Sequence, residues 1–153
     1  MRELTKEFLG LVGEYAVASE LCKRNVYAQL TIGHHKSTDI LVEKQNNMIK
    51  VQVKAKQSSE WPSISGIMGM SDYLVLVDLQ KKNENDRPDF YILDFSDWKK
   101  LVEEEKMKFP KLEIDDKFRI KYPDGWKGLN IKSNQVESCK EKWEKIFAEI
   151  STV

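Results

Sequence analysis

Thr38-Asp39-Ile40-Leu41-Val42-Glu43-Lys44-Gln45-Asn46-Asn47-Met48-Ile49-Lys50-Val51-Gln52-Val53-Lys54-Ala55-Lys56 is the stretch on which the reading of the fold turns. Its second half alternates with period two. Ile49, Val51, Val53 and Ala55 point one way, and Lys50, Gln52, Lys54 and Lys56 the other, the signature of a strand with one apolar face. Asp39 to Glu43 reads as a second strand, and Gln45-Asn46-Asn47 supplies turn chemistry between the two. Strands joined by so short a turn form a hairpin. Closing it brings Asp39 within a residue or two of Lys54.

Upstream, Phe8, Leu11, Val12, Tyr15, Ala18, Leu21 and Cys22 recur at helical spacing, which predicts a helix from Thr5, its N-cap, to Arg24. A short β segment, Val26 to Ile32, links it to the hairpin. Downstream, Ser58 to Ser71 reads as irregular, whereas Tyr73 to Leu79 is an apolar run typical of a strand buried on both faces. Phe90 to Asp94 is a fourth core strand, and Ser96 caps a helix through Met107. A strand at Phe118 to Lys121 and a turn at Pro123-Asp124-Gly125 follow. Ser133 then caps a last amphipathic helix ending near Ile150. This order predicts an α/β protein, a mixed central β-sheet flanked by helices with an extra C-terminal helix. A chain of 153 residues has room for one core, so residues 1–153 read as a single domain.

Composition excludes some classes and leaves others open. With 41% apolar and 33% charged residues the chain is neither disordered nor a membrane span. The start, MRELTKEFLG, lacks a signal-peptide core, and Cys22 and Cys139 have no metal-ligand spacing. The expectation is a cytoplasmic protein whose cysteines are small core residues. Net charge is zero, which speaks against a nucleic-acid partner, because phosphate contacts usually demand a basic surplus. The distribution is uneven, however. Residues 1–60 hold nine Lys/Arg against seven Asp/Glu, residues 72–116 eight against thirteen, and residues 117–132 five against one. A basic face can coexist with an acidic one.

Four residues stand out chemically. Glu14 lies on or beside the apolar stripe of the first helix, where a carboxylate costs several kcal/mol unless paired, hydrogen-bonded or metal-bound; the plain alternative is an edge residue that snorkels to water. Asp39 opens the Ile-Leu-Val strand, where an aspartate is often only a turn residue. Gln52 and Lys54, two apart, share one face of the next strand, a face that elsewhere is simply solvated. No Gly-rich phosphate loop, zinc spacing or Ser-His-Asp signature is present.

In combination, Gly13-Glu14 on a helix, Asp39 at the head of a strand and Gln52-Val53-Lys54 in its hairpin partner resemble the PD-(D/E)XK nuclease superfamily, particularly the Holliday-junction resolvases and related restriction-like proteins. The resemblance spans about residues 8–80. It implies a restriction endonuclease-like core in residues 1–80, with residues 81–153 packing on the same sheet. It also implies a catalytic set of Glu14, Asp39, Gln52 and Lys54, and a Mg or Mn ion held by Glu14, Asp39 and Gln52. The substrate implied is DNA, cut by hydrolysis of a phosphodiester, with a homodimer as a compatible assembly. Gln52 departs from the usual Glu of the motif. Its carbonyl oxygen still suits a hard cation, but the lost charge weakens a second metal position. His35, Lys50, Lys56, Gln57, Ser58 and Trp61 are further candidates for nucleic-acid contact. The competing reading is a catalytically inactive module of the same fold that binds nucleic acid or a protein.

Overall fold

In a computed structural model of the chain, residues 1–31, 38–44, 46–67 and 69–148 are described. The first helix, α1, spans Lys6–Lys23; the Thr5 hydroxyl accepts the Phe8 N–H, as the N-cap reading predicts. Asn25, with φ of 61°, turns the chain out of the helix into β1, Ala28–Leu30. β2, Ile40–Lys44, and β3, Asn47–Lys56, form the expected antiparallel hairpin with Ile40 opposite Val51 and Lys44 opposite Asn47. β5, Tyr73–Asp78, then lies parallel to β3, and β6, Asp89–Leu93, antiparallel to β5. The result is a five-stranded mixed sheet ordered β1-β2-β3-β5-β6. Between them in sequence, β4, Glu60–Ile64, leaves this sheet and pairs with β9, Leu129–Lys132.

Apolar packing covers both faces of the sheet. On one, Val17 and Leu21 of α1 meet Val51, Val53, Val75 and Val77. On the other, Leu74 and Leu76 meet Trp61, Trp98 and Ile131. β5 therefore buries every residue, as its unbroken apolar sequence predicts. Burial of each such Val or Leu is worth roughly 1.5–3 kcal/mol. The second face is covered by the β4–β9 ribbon, the helix α2 at Phe95–Lys108, and a small hairpin of β7, Glu113–Ile114, and β8, Ile120–Lys121.

Several sequence expectations need correction. Phe8, Leu11, Val12 and Tyr15 do not face the core; they are exposed, Tyr15 by 63%. α1 is rotated so that it docks along Gly13, Val17, Ala18 and Leu21. A Cβ on Gly13 would lie 2.9 Å from that of Ala55, so the glycine is what lets helix and sheet approach. Cys22 is exposed, while Cys139 is buried as expected. The supposedly irregular 58–71 contains β4, whose partner lies about seventy residues away and whose pairing is broken by a register shift between Trp61 and Ile64. The cap of α2 is Asp94, not Ser96: Asp94 and Asp97 accept one another's backbone N–H groups at 2.9 Å. Of the expected strand 118–121 only Ile120–Lys121 is regular, because Phe118 takes φ of 56°.

The long C-terminal helix is also absent. Ser133–Gln135 and Glu137–Cys139 are 3-10 turns, and among the described residues of this stretch only Glu144–Ala148, α3, is α-helical. The reason is topological. Val136 and Cys139 belong to the second core and Trp143 and Ile146 to the first. The chain must pass round the edge strand β6 to reach both, and does so by pairing Lys140 with Tyr91 and donating the Glu141 N–H to Phe90 O. No single straight helix can serve two faces of a sheet.

Candidate functional site

The hairpin forks at Asp39. Its N–H donates to Val51 O at 3.2 Å, one residue beyond the regular β2–β3 ladder. Past that point the side chain replaces the backbone: Asp39 Oδ2 accepts the Val53 N–H at 2.7 Å. From the other side Thr31 holds the same corner, its N–H donating to Asp39 O at 3.0 Å and its hydroxyl to Thr38 O at 2.8 Å. Asp39 is thus fixed where β2 peels away from β3, beside the strand that bears Lys54.

Glu14 arrives from α1. The close approach of Gly13 to Val53 and Ala55 sets the next residue beside the fork. Burial pushes the Glu14 carboxyl above the ordinary glutamate range; the Asp39 charge pushes it the same way, and the Lys54 ammonium pulls it down. Glu14 therefore feels the charges of both Asp39 and Lys54, which other parts of the chain bring beside it. Gln52 and Lys54 alternate with Val51 and Val53, so both lie on the face of β3 away from α1. Gln52 is half-buried, its side chain makes no hydrogen bond with another described residue, and it borders a cleft of about 620 Å³.

The donor set suits a hard cation. A divalent ion beside the two carboxylates would relieve the repulsion that Asp39 exerts on Glu14. No cluster of three His, Cys, Asp or Glu able to hold a metal occurs among the described residues. An amide oxygen is a donor such ions accept, and Gln52 on β3 offers one.

The remaining candidates divide. His35 lies outside the described residues. Lys50 is exposed on β3 opposite Leu41, on the face that carries Gln52. Lys56 and Trp61 are corrected to structural roles. Lys56 is 1% exposed, paired with Asp78 at 2.8 Å and seated over the Trp61 ring. Trp61 is fully buried and donates its indole N–H to Val77 O, so it has no face to offer a base. Gln57 clamps the N-terminal segment, accepting the Leu4 N–H and donating to Arg2 O. Ser58 is exposed, its hydroxyl donating to Glu60 O. The sequence reading named none of Arg119, Lys121 and Lys127, which line the cleft beside Gln52; the basic surplus of 117–132 was their trace. Trp126, just before Lys127, is half exposed.

No family model matches the chain, and no curated protein matches it. Among solved structures it is similar to that of a bacterial homing endonuclease, I-Ssp6803I, with a TM-score of 0.55 and 13% identity over 97% of this chain and 96% of that one. No helix among the described residues is long and apolar enough to cross a membrane. The mixed five-stranded sheet flanked by helices is a nuclease-like fold.

Proposed function

We propose that this chain is a metal-dependent nuclease of the PD-(D/E)XK type that hydrolyses phosphodiester bonds in DNA. The observation that carries the reading is the electrostatic convergence of Glu14, Asp39 and Lys54 at the β2–β3 fork. Glu14, Asp39 and the Gln52 carbonyl would hold a Mg or Mn ion. When bound, such an ion supplies Lewis acidity at a non-bridging phosphate oxygen and acidifies water. Lys54 orients the attacking water and offsets negative charge growing on the phosphorus. Asp39 Oδ2 is engaged by the Val53 N–H, and the other carboxylate oxygen would serve the ion. A homodimer belongs to the same reading, since each chain carries one such site and a duplex has two strands to cut.

The test is cleavage of plasmid DNA with Mg or Mn, beside calorimetric titration of Ca. Wild type is expected to cut and to bind the ion, and Asp39→Ala to lose both, with cleavage down at least a hundredfold. Cleavage surviving in Asp39→Ala would overturn the proposal. Zero net charge and Gln52 favour the second reading, an inactive module that retains nucleic acid. Under it, wild type binds DNA without cutting, and Gln52→Glu restores hydrolysis by returning the missing charge.

A further inference from the structure

Beyond Gln52 the cleft runs between the middle of β3 and a basic wall formed by β8 and the segment leading to β9. Three cations line it, Arg119, Lys121 and Lys127. Two acids lie there as well. Asp115 is committed to Arg119, binding its guanidinium at 2.8 Å and both the Arg119 and Lys117 N–H groups at 2.9 Å. Glu113 sits across the β7–β8 ladder from Lys121 without forming an ion pair with it.

The two lysines are unusual in their placement. Lys121 and Lys127 are directly opposed in an antiparallel bridge, so their side chains start from neighbouring positions on one side of it. Like charges in that position repel and cost stability. Neither ammonium takes part in any ion pair or side-chain hydrogen bond among the described residues, and both are exposed. The wall is held against β4 with little slack. Gly128, next to Lys127, has φ of 91°, and a Cβ there would lie 2.7 Å from the Ser63 backbone. An exposed lysine pair on a closely seated backbone, with Glu113 opposite one member but not ion-paired with it, is a site for an anion that spans the two ammonium groups.

We propose that this cleft seats the phosphodiester backbone of the nucleic-acid strand on one side of the Glu14–Asp39–Lys54 site, with Lys121 and Lys127 gripping phosphates and Arg119 adding a third contact. This rests on the nuclease reading for what lies at the far end of the cleft, where Gln52 belongs to both sites. It gives a chain of zero net charge two lysines with which to hold a polyanion, since Asp115 is taken up by Arg119 and neither Lys121 nor Lys127 is ion-paired among the described residues.

The experiment measures binding rather than cutting. A fluorescent DNA duplex is titrated with the protein in Ca, across a salt series, by anisotropy. The variants are Lys121→Gln/Lys127→Gln and, as a charge-matched control, Lys108→Gln/Lys142→Gln, whose lysines are exposed elsewhere on the surface. Removing two phosphate contacts is expected to lower the slope of log affinity against log salt by about 1.8. The cleft pair is expected to bind at least tenfold more weakly at low salt, with the control unchanged. Equal slopes in wild type and the cleft variant would overturn the inference even if plasmid cleavage is intact. Failure of wild type to bind any duplex would overturn it too. Binding that depends on the two lysines, in a protein that cuts nothing, would uphold the cleft and remove only the hydrolase.

Discussion

Glu14 shows what a single side chain costs and supplies. Its carboxyl is raised by burial and by Asp39, so the folded chain holds that proton more tightly than the unfolded chain does. Ionising it therefore destabilises the fold. The penalty is absent below the ordinary glutamate value of 4.5 and grows as pH rises through the elevated one. Glu14→Gln is expected to be as stable as wild type at pH 4 and more stable at pH 7. The gain should be under about 1 kcal/mol, because the group is only half-buried. In the same variant divalent-ion binding should fall at least tenfold. Thermal unfolding at the two pH values, without and with Ca, reads both effects. A variant less stable than wild type at pH 7 would show that the carboxylate is stabilised locally rather than strained.

At the scale of elements, α1 and the β2–β3 hairpin depend on one contact. Gly13→Ala improves intrinsic helix propensity by about 1 kcal/mol, yet its methyl would meet Ala55 Cβ at 2.9 Å and Val53 Cγ1 at 3.3 Å. The net expectation is a loss of about 1–2 kcal/mol in denaturant unfolding, with cleavage falling further than stability because Glu14 moves with its helix. The same contact explains what was legible in the sequence and what was not. The hairpin announced itself because alternation and turn chemistry are local, and the existence of α1 because its caps and spacing are local too. Its rotation was not legible. Phe8, Leu11, Val12 and Tyr15 make the more apolar stripe, but the helix buries its smaller residues, since close approach at Gly13 outweighs side-chain hydrophobicity. The buried Lys56 was hidden for a similar reason: its partners Asp78, Trp61 and Gln80 come from other strands and loops. β4 and the bent C-terminal segment were illegible because their partners lie far along the chain. Glu14, Asp39 and Lys54 were readable as a motif, whereas the lysine wall across the cleft needed a bridge between Lys121 and Lys127 that composition only hinted at.

For the molecule as a whole, an ionic cluster ties the start of the chain to its end. Glu20 on α1 is 4% exposed and accepts from Lys23, Arg24 and Arg87, while Arg87 also pairs with Glu141. Hydrogen bonds from Arg87 above all bring the Glu20 carboxyl down to about 2. A depressed carboxyl stabilises the fold above its ordinary value of 4.5 and loses that contribution as pH falls toward 2. Glu20→Gln is expected to cost about 1–3 kcal/mol at pH 7, in keeping with hydrogen bonds to charged groups. The gap should close on acidification, as urea titrations at pH 7, 4 and 2.5 would read. Glu141 in this cluster sits in the segment that rounds β6 and delivers Trp143 and Ile146 to the α1 side of the sheet. That route has a bearing on synthesis. A ribosome makes the reactive groups of the proposed site first, from Glu14 to Lys54, and Trp143 and Ile146, which seal the hydrophobic layer behind them, well afterwards. A nascent chain would hold its acids and its lysine without the frame that aims them, and so stay inert toward nearby nucleic acid until that segment has emerged.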